Sequence, residues 1–162
     1  MKGLITIIGS FLFSISVIAQ TSNSLQVKEL NYGKSTVQKL YETKMKKSPS
    51  GHHNITAEKL NIVKRTDTIE AKIGEQFGIE YELISKKNET IKIQITWLFP
   101  EGMKDQNGKE IRKLTYEIPK NTNEYTYSNY TLEDENEVVK GQWVFIISKG
   151  GKELYRKSFW LN

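Results

Sequence analysis

The sequence predicts an all-β fold in which antiparallel strands stack in two layers behind an N-terminal signal-peptide helix, and three observations predict it. Apolar side chains recur at every second position from Phe77 to Leu83 and from Ile91 to Phe99, the period that turns alternate residues to one face of a strand. Turn-forming residues return roughly every eight to twelve positions, as in sandwiches of short strands. After residue 19 no stretch carries the apolar stripe of a helix.

Residues 1–19 have the three parts of an export signal. Lys2 gives the basic start, Leu4 to Ile18 is nearly all apolar, and Val17-Ile18-Ala19 places small side chains for cleavage between Ala19 and Gln20. The apolar run is about 15 residues, short of the roughly 20 a helix needs to cross a bilayer. The processed chain is expected to have no membrane span and to be periplasmic or extracellular. With no Cys anywhere in the 162 residues, lipid attachment at an N-terminal Cys and a disulfide framework are both excluded. A bacterial envelope fits that better than a eukaryotic secretory route. Loss of Lys2 with the signal lowers the formal net charge from +5 to +4. The lysines are interleaved with acids, whereas displacing phosphate counterions takes clustered cations, so no nucleic-acid partner is expected.

The domain boundaries follow as a signal peptide over 1–19, a flexible mature N-terminus over 20–28, and one β-sandwich domain of about seven to nine strands over 29–162. Val27 to Thr43 reads as one or two irregular strands. Residues 46–54, around Pro49-Ser50-Gly51, form the clearest loop and carry both histidines, His52 and His53. Spaced β-branched residues mark Ile55 to Val63 and Ile69 to Ile73. Phe77 to Leu83 and Ile91 to Phe99 are expected to pair as a hairpin across the short turn Lys86-Lys87-Asn88-Glu89. Asn107-Gly108 marks a tight turn because both residues tolerate positive φ. Strands over Ile111 to Ile118 and Tyr125 to Leu132 flank Pro119-Lys120-Asn121. Trp143 to Ile147 and Leu154 to Leu161 close the chain as a hairpin about Gly150-Gly151. Trp97 and Trp143 fall on core positions, and Trp160, alternating with Phe159 and Leu161, faces outward or an edge.

Three segments carry a family resemblance: Gly74-Glu75-Gln76-Phe77-Gly78-Ile79-Glu80-Tyr81, then Phe99-Pro100-Glu101-Gly102-Met103, then Gly141-Gln142-Trp143-Val144-Phe145-Ile146-Ile147 with Phe159. Over roughly residues 69–161 the chain resembles the bacterial domain of unknown function 3859 family. Its last hairpin also looks like that of many secreted immunoglobulin-like domains. The resemblance implies an immunoglobulin-like antiparallel β-sandwich and no active site to carry over.

Candidate chemistry is sparse. His52 and His53 are adjacent and point to opposite sides of an extended chain, and no Gly-x-Ser-x-Gly elbow exists. Glu80 and Glu82 share the polar face of a strand about 6 to 7 Å apart, a spacing ordinary for solvent-facing carboxylates as well as for a glycosidase pair. Asp105 to Glu110 resembles part of a calcium loop but lacks its closing bidentate Glu. The acidic run Glu133 to Glu137 reads as a solvated turn. No catalytic, metal or cofactor residue is assigned. A possible binding surface is aromatic: Tyr116, Tyr125, Tyr127 and Tyr130, in two neighbouring strands, with Trp160. Flat rings with polar tips suit a protein surface or a sugar ring. The expected function is a non-enzymatic binding or structural module contacting a protein or glycan of the cell envelope. A carbohydrate-binding domain using Tyr125, Tyr127 and Trp160 is the alternative, and a hydrolase using Glu80 and Glu82 or His53 comes third.

Overall fold

The computed structural model describes residues 25–45, 48–57 and 59–162. The expected signal peptide, its cleavage site and residues 20–24 lie outside them. The strands are β1 (Gln26–Thr36), β2 (Lys39–Lys44), β3 (His52–Thr56), β4 (Asn61–Lys64), β5 (Thr68–Ile69), β6 (Gln76–Ile84), β7 (Thr90–Leu98), β8 (Lys113–Asn121), β9 (Tyr125–Thr131), β10 (Gly141–Lys149) and β11 (Lys152–Leu161). One sheet has the order β4-β1-β6-β9 and the other β5-β11-β10-β7-β8. Every pairing is antiparallel except that of β5 with β11. These nine strands make the expected all-β sandwich, and β2 and β3 form a separate ribbon between β1 and β4.

Period-two patterning explains which side chains meet between the layers. Phe77, Ile79, Tyr81 and Leu83 of β6 face the inner side of β7, β10 and β11, where Ile95, Trp97, Trp143, Phe145, Ile147 and Phe159 are as fully enclosed. Rings organise the centre: Phe77 lies edge-on to Trp97 at 5.7 Å and to Trp143 at 5.8 Å, and 5.0 Å from Phe159. Edge-to-face contact matches the negative ring face to the positive ring edge. Burial of each such side chain contributes about 2 to 3 kcal/mol.

The expected β6–β7 hairpin does not form. β6 lies in the four-stranded sheet and β7 in the five-stranded one, so residues 85–89 cross between layers. The β8–β9 connection crosses beside it, and side chains lock the two together. Thr122 Oγ1 donates to the carbonyl of Lys87 at 2.6 Å and accepts from the Glu89 N–H at 2.9 Å, while Asn123 Oδ1 accepts from the Ser85 N–H at 2.9 Å. Asn123 has φ +57°, a conformation Asn tolerates. Pro119-Lys120-Asn121 continues β8 rather than ending it; β8 is an edge strand, where a missing donor costs little.

Two boundaries also move. β1 starts at Gln26, inside the stretch expected to be flexible, and pairs Val27 with Leu83 of β6. His52 and His53 open β3 rather than sit in the loop. The closing hairpin forms as expected, with positive φ at Gly150 and Gly151.

Candidate functional site

The expected tyrosine surface is divided by the sheet crossing. Tyr116 belongs to β8, and Tyr125, Tyr127 and Tyr130 belong to β9 in the other sheet. Tyr125 and Tyr127 share a face, the outer one, but their rings are tilted by 45° at 6.4 Å, not coplanar as stacking on one sugar face requires. Their hydroxyls are already used. Tyr125 donates to Glu80 Oε1 at 2.8 Å and accepts from the Leu60 N–H at 3.2 Å; Tyr127 donates to the Ala57 carbonyl and bonds Thr56 Oγ1. The chain leaving the ribbon is thus strapped across the four-stranded sheet. Burial, then the Glu80 carboxylate, pushes the Tyr125 hydroxyl up to about 12. Glu82 pairs with Lys28 at 3.1 Å, so both carboxylates of the hydrolase reading are engaged by neighbours.

Tyr130 is no surface residue. It is 8% exposed, and its ring packs 5.4 Å from Trp97 and 5.0 Å from Trp143. Its hydroxyl donates to Glu137 Oε1 at 2.8 Å, while Glu137 Oε2 accepts from the backbone N–H of Glu133 at 2.7 Å and of Asp134 at 3.3 Å. Those bonds draw the last residue of the acidic run, expected in solvent, down to 2% exposure within a single 3-10 turn. Desolvation raises the Glu137 carboxyl above its ordinary value, against the hydrogen bonds that favour its charge. A small pocket opens here, walled by Trp97, Leu114, Tyr116, Tyr130 and Glu137 and roofed by Met45, Ser48 and Ser50 next to the ribbon. Tyr116 is partly enclosed, and burial raises its hydroxyl. Sequence reasoning missed the pocket because it joins four segments that only the sheet crossing brings together.

Trp160 does point outward and is 52% exposed. Its register partners are Gln142 on β10 and Thr68 on β5. The next row on the same outer face runs Ser158, Val144, Leu98, and the next Ile146, Thr96, Thr115. Polar members pair with each other: Gln142 Nε2 donates to Ser158 Oγ at 3.0 Å, and the Thr96 and Thr115 hydroxyls lie 3.0 Å apart. The centre of this face therefore carries no charge, with Arg156 and Lys113 at the ends of the rows. Asp105, the first residue of the calcium-like segment, accepts from the Asn107 N–H at 2.8 Å and the Lys109 N–H at 3.0 Å. Its carboxylate is building the tight turn at Gly108.

Among the described residues no helix is long and apolar enough to cross a membrane. The fold is similar to that of an immunoglobulin-like protein from Pseudomonas aeruginosa, with a TM-score of 0.59 at 23% identity over 88% of this chain and 99% of the other. That likeness establishes the immunoglobulin-like architecture. No curated protein matches the chain. The family model described as domain of unknown function (DUF3859) matches residues 23–161, reaching back through β1 and the ribbon beyond the segments that carry the resemblance in sequence, and the chain belongs to that family.

Proposed function

We propose that this is an exported, non-catalytic binding module that holds another protein of the envelope, or a secreted one, against the outer face of the five-stranded sheet. The observation that carries the reading is Trp160, half-exposed at the head of an uncharged face on which Val144 and Leu98 are partly exposed and Ile146 is buried beyond them. A large ring beside aliphatic and hydroxyl side chains, with cations at the rim, has the composition of a protein interface core. Export is supported by the composition of residues 1–19.

Glycan binding is the second reading, favoured by the exposed ring of Trp160 with Gln142 and Thr68 beside it. The chain from Gln20 onward, used as bait on native envelope extract, separates the two when run beside Trp160→Ala and Val144→Lys. One reproducible protein, retained by the parent and lost by both variants, is the expected result. Glycan recovered in its place transfers the argument to the second reading. Retention equal in all three baits overturns the face as the site.

A further inference from the structure

Lys120 is the one described lysine whose ammonium is drawn between the two sheets with only neutral partners. It sits on edge strand β8, opposite Ile91 of β7. Its Nζ donates to the carbonyl oxygen of Tyr127 on β9 at 3.1 Å and lies 5.7 Å from that ring's centroid. The other lysines drawn toward the body of the domain, Lys34 and Lys157, meet Glu75 and Glu29. The carboxylate in the adjoining loop, Glu124, is taken by Asn121 Nδ2 at 2.9 Å. Desolvation without a counter-charge disfavours the ammonium, and it alone lowers the Lys120 pKa to about 8. The residue as a whole is only partly buried.

We infer that Lys120 is a modification site, the described amine most ready to form a reversible imine with a small neutral aldehyde. The Nζ lone pair attacks the carbonyl carbon and the C–N bond forms. The C=O π bond opens as it forms and one N–H proton passes to the oxygen; the carbinolamine then loses that hydroxyl as water together with the second N–H proton, and the C=N bond results with no change of oxidation state. Desolvated lysines serve as Schiff-base nucleophiles for this reason. A neutral aldehyde is specified because the group faces an aromatic ring and a carbonyl, with no second donor bonded beside it among the described residues. The inference is independent of the proposed docking face, which lies on the outer side of the same sheet.

Formaldehyde with cyanoborohydride traps each imine as a methylated lysine. The chain from Gln20 onward, treated at pH 7.5 for increasing times and mapped by peptide mass spectrometry, is expected to show Lys120 methylated roughly tenfold faster than exposed Lys28. Tyr127→Phe, which keeps both the ring and the carbonyl, is expected to preserve the advantage. Urea-unfolded chain is expected to abolish it, since the rate difference comes from the folded environment. Lys120 reacting no faster than Lys28 in the folded chain overturns the inference, and so does an advantage that persists in urea.

Discussion

The ammonium of Lys120 and the carbonyl oxygen of Tyr127, 3.1 Å apart, join by one hydrogen bond two edge strands that belong to different sheets. Closure there costs the desolvation of a cation. Because the folded pKa lies near 8 and the unfolded one near 10.5, the unfolded chain binds the proton more tightly between those values. Stability therefore rises with pH across that window, and the penalty is full below it. Lys120→Met keeps the stem and removes the charge. Urea melts at pH 7 are expected to show a gain on the order of 1 kcal/mol, the relief of desolvation less the lost hydrogen bond, and to show the rise above pH 8 flattened.

Glu137 has the opposite charge and a raised pKa. A carboxyl whose folded pKa exceeds its unfolded one gives its full stabilisation below the unfolded value, near 4.5, and loses it as pH climbs through the folded value. Glu137→Gln cannot ionise, so its stability relative to the parent is expected to improve from pH 4 to pH 7. Glu137→Ala strips the Tyr130 hydroxyl and two backbone N–H groups of their acceptor and is expected to cost about 2 to 4 kcal/mol by chemical denaturation.

Tyr125 and Tyr127 hold the strap, and their role is separable from binding. Tyr125→Phe removes the acceptor of the Leu60 N–H. Hydrogen exchange at that amide is expected to quicken, with a stability loss near 1 kcal/mol. Partner retention by the same variant is expected to equal that of the parent.

Gly78 is required by space. A Cβ there would sit 2.5 Å from the Ser128 carbonyl oxygen on the neighbouring strand. Gly78→Ala is expected to destabilise by about 1 to 3 kcal/mol, the usual cost of overpacking, read as an earlier denaturation midpoint at unchanged slope.

Much of the architecture was legible because period two fixes which face a side chain takes: Phe77 to Leu83, Trp97, Trp143 and the outward Trp160 all lie where alternation puts them. Alternation says nothing about which strand lies alongside. A five-residue connection serves a hairpin or a crossing equally well, and the difference here rests on Thr122 and Asn123 reaching back some 35 residues to bond residues 85–89. The tyrosines were misplaced for a like reason: the strands of Tyr116 and of Tyr125 to Tyr130 follow one another in sequence but lie in different sheets. Strand propensity put Tyr125 and Tyr127 on one face correctly, but the segment covering them comes from the ribbon insertion, a non-local event. Glu137 was unreadable for another reason: in an acidic run nothing local distinguishes the one carboxylate that a tight turn folds inward.

With no cysteine in the chain, one introduced thiol reports one place. Maleimide labelling of Gln142→Cys, beside Trp160 on the five-stranded sheet, is compared with that of Lys28→Cys on the opposite sheet, each with and without native envelope extract. Marked slowing at position 142 with position 28 unaffected is expected if a partner covers the Trp160 face. Unchanged labelling at 142, or protection confined to 28, contradicts that reading.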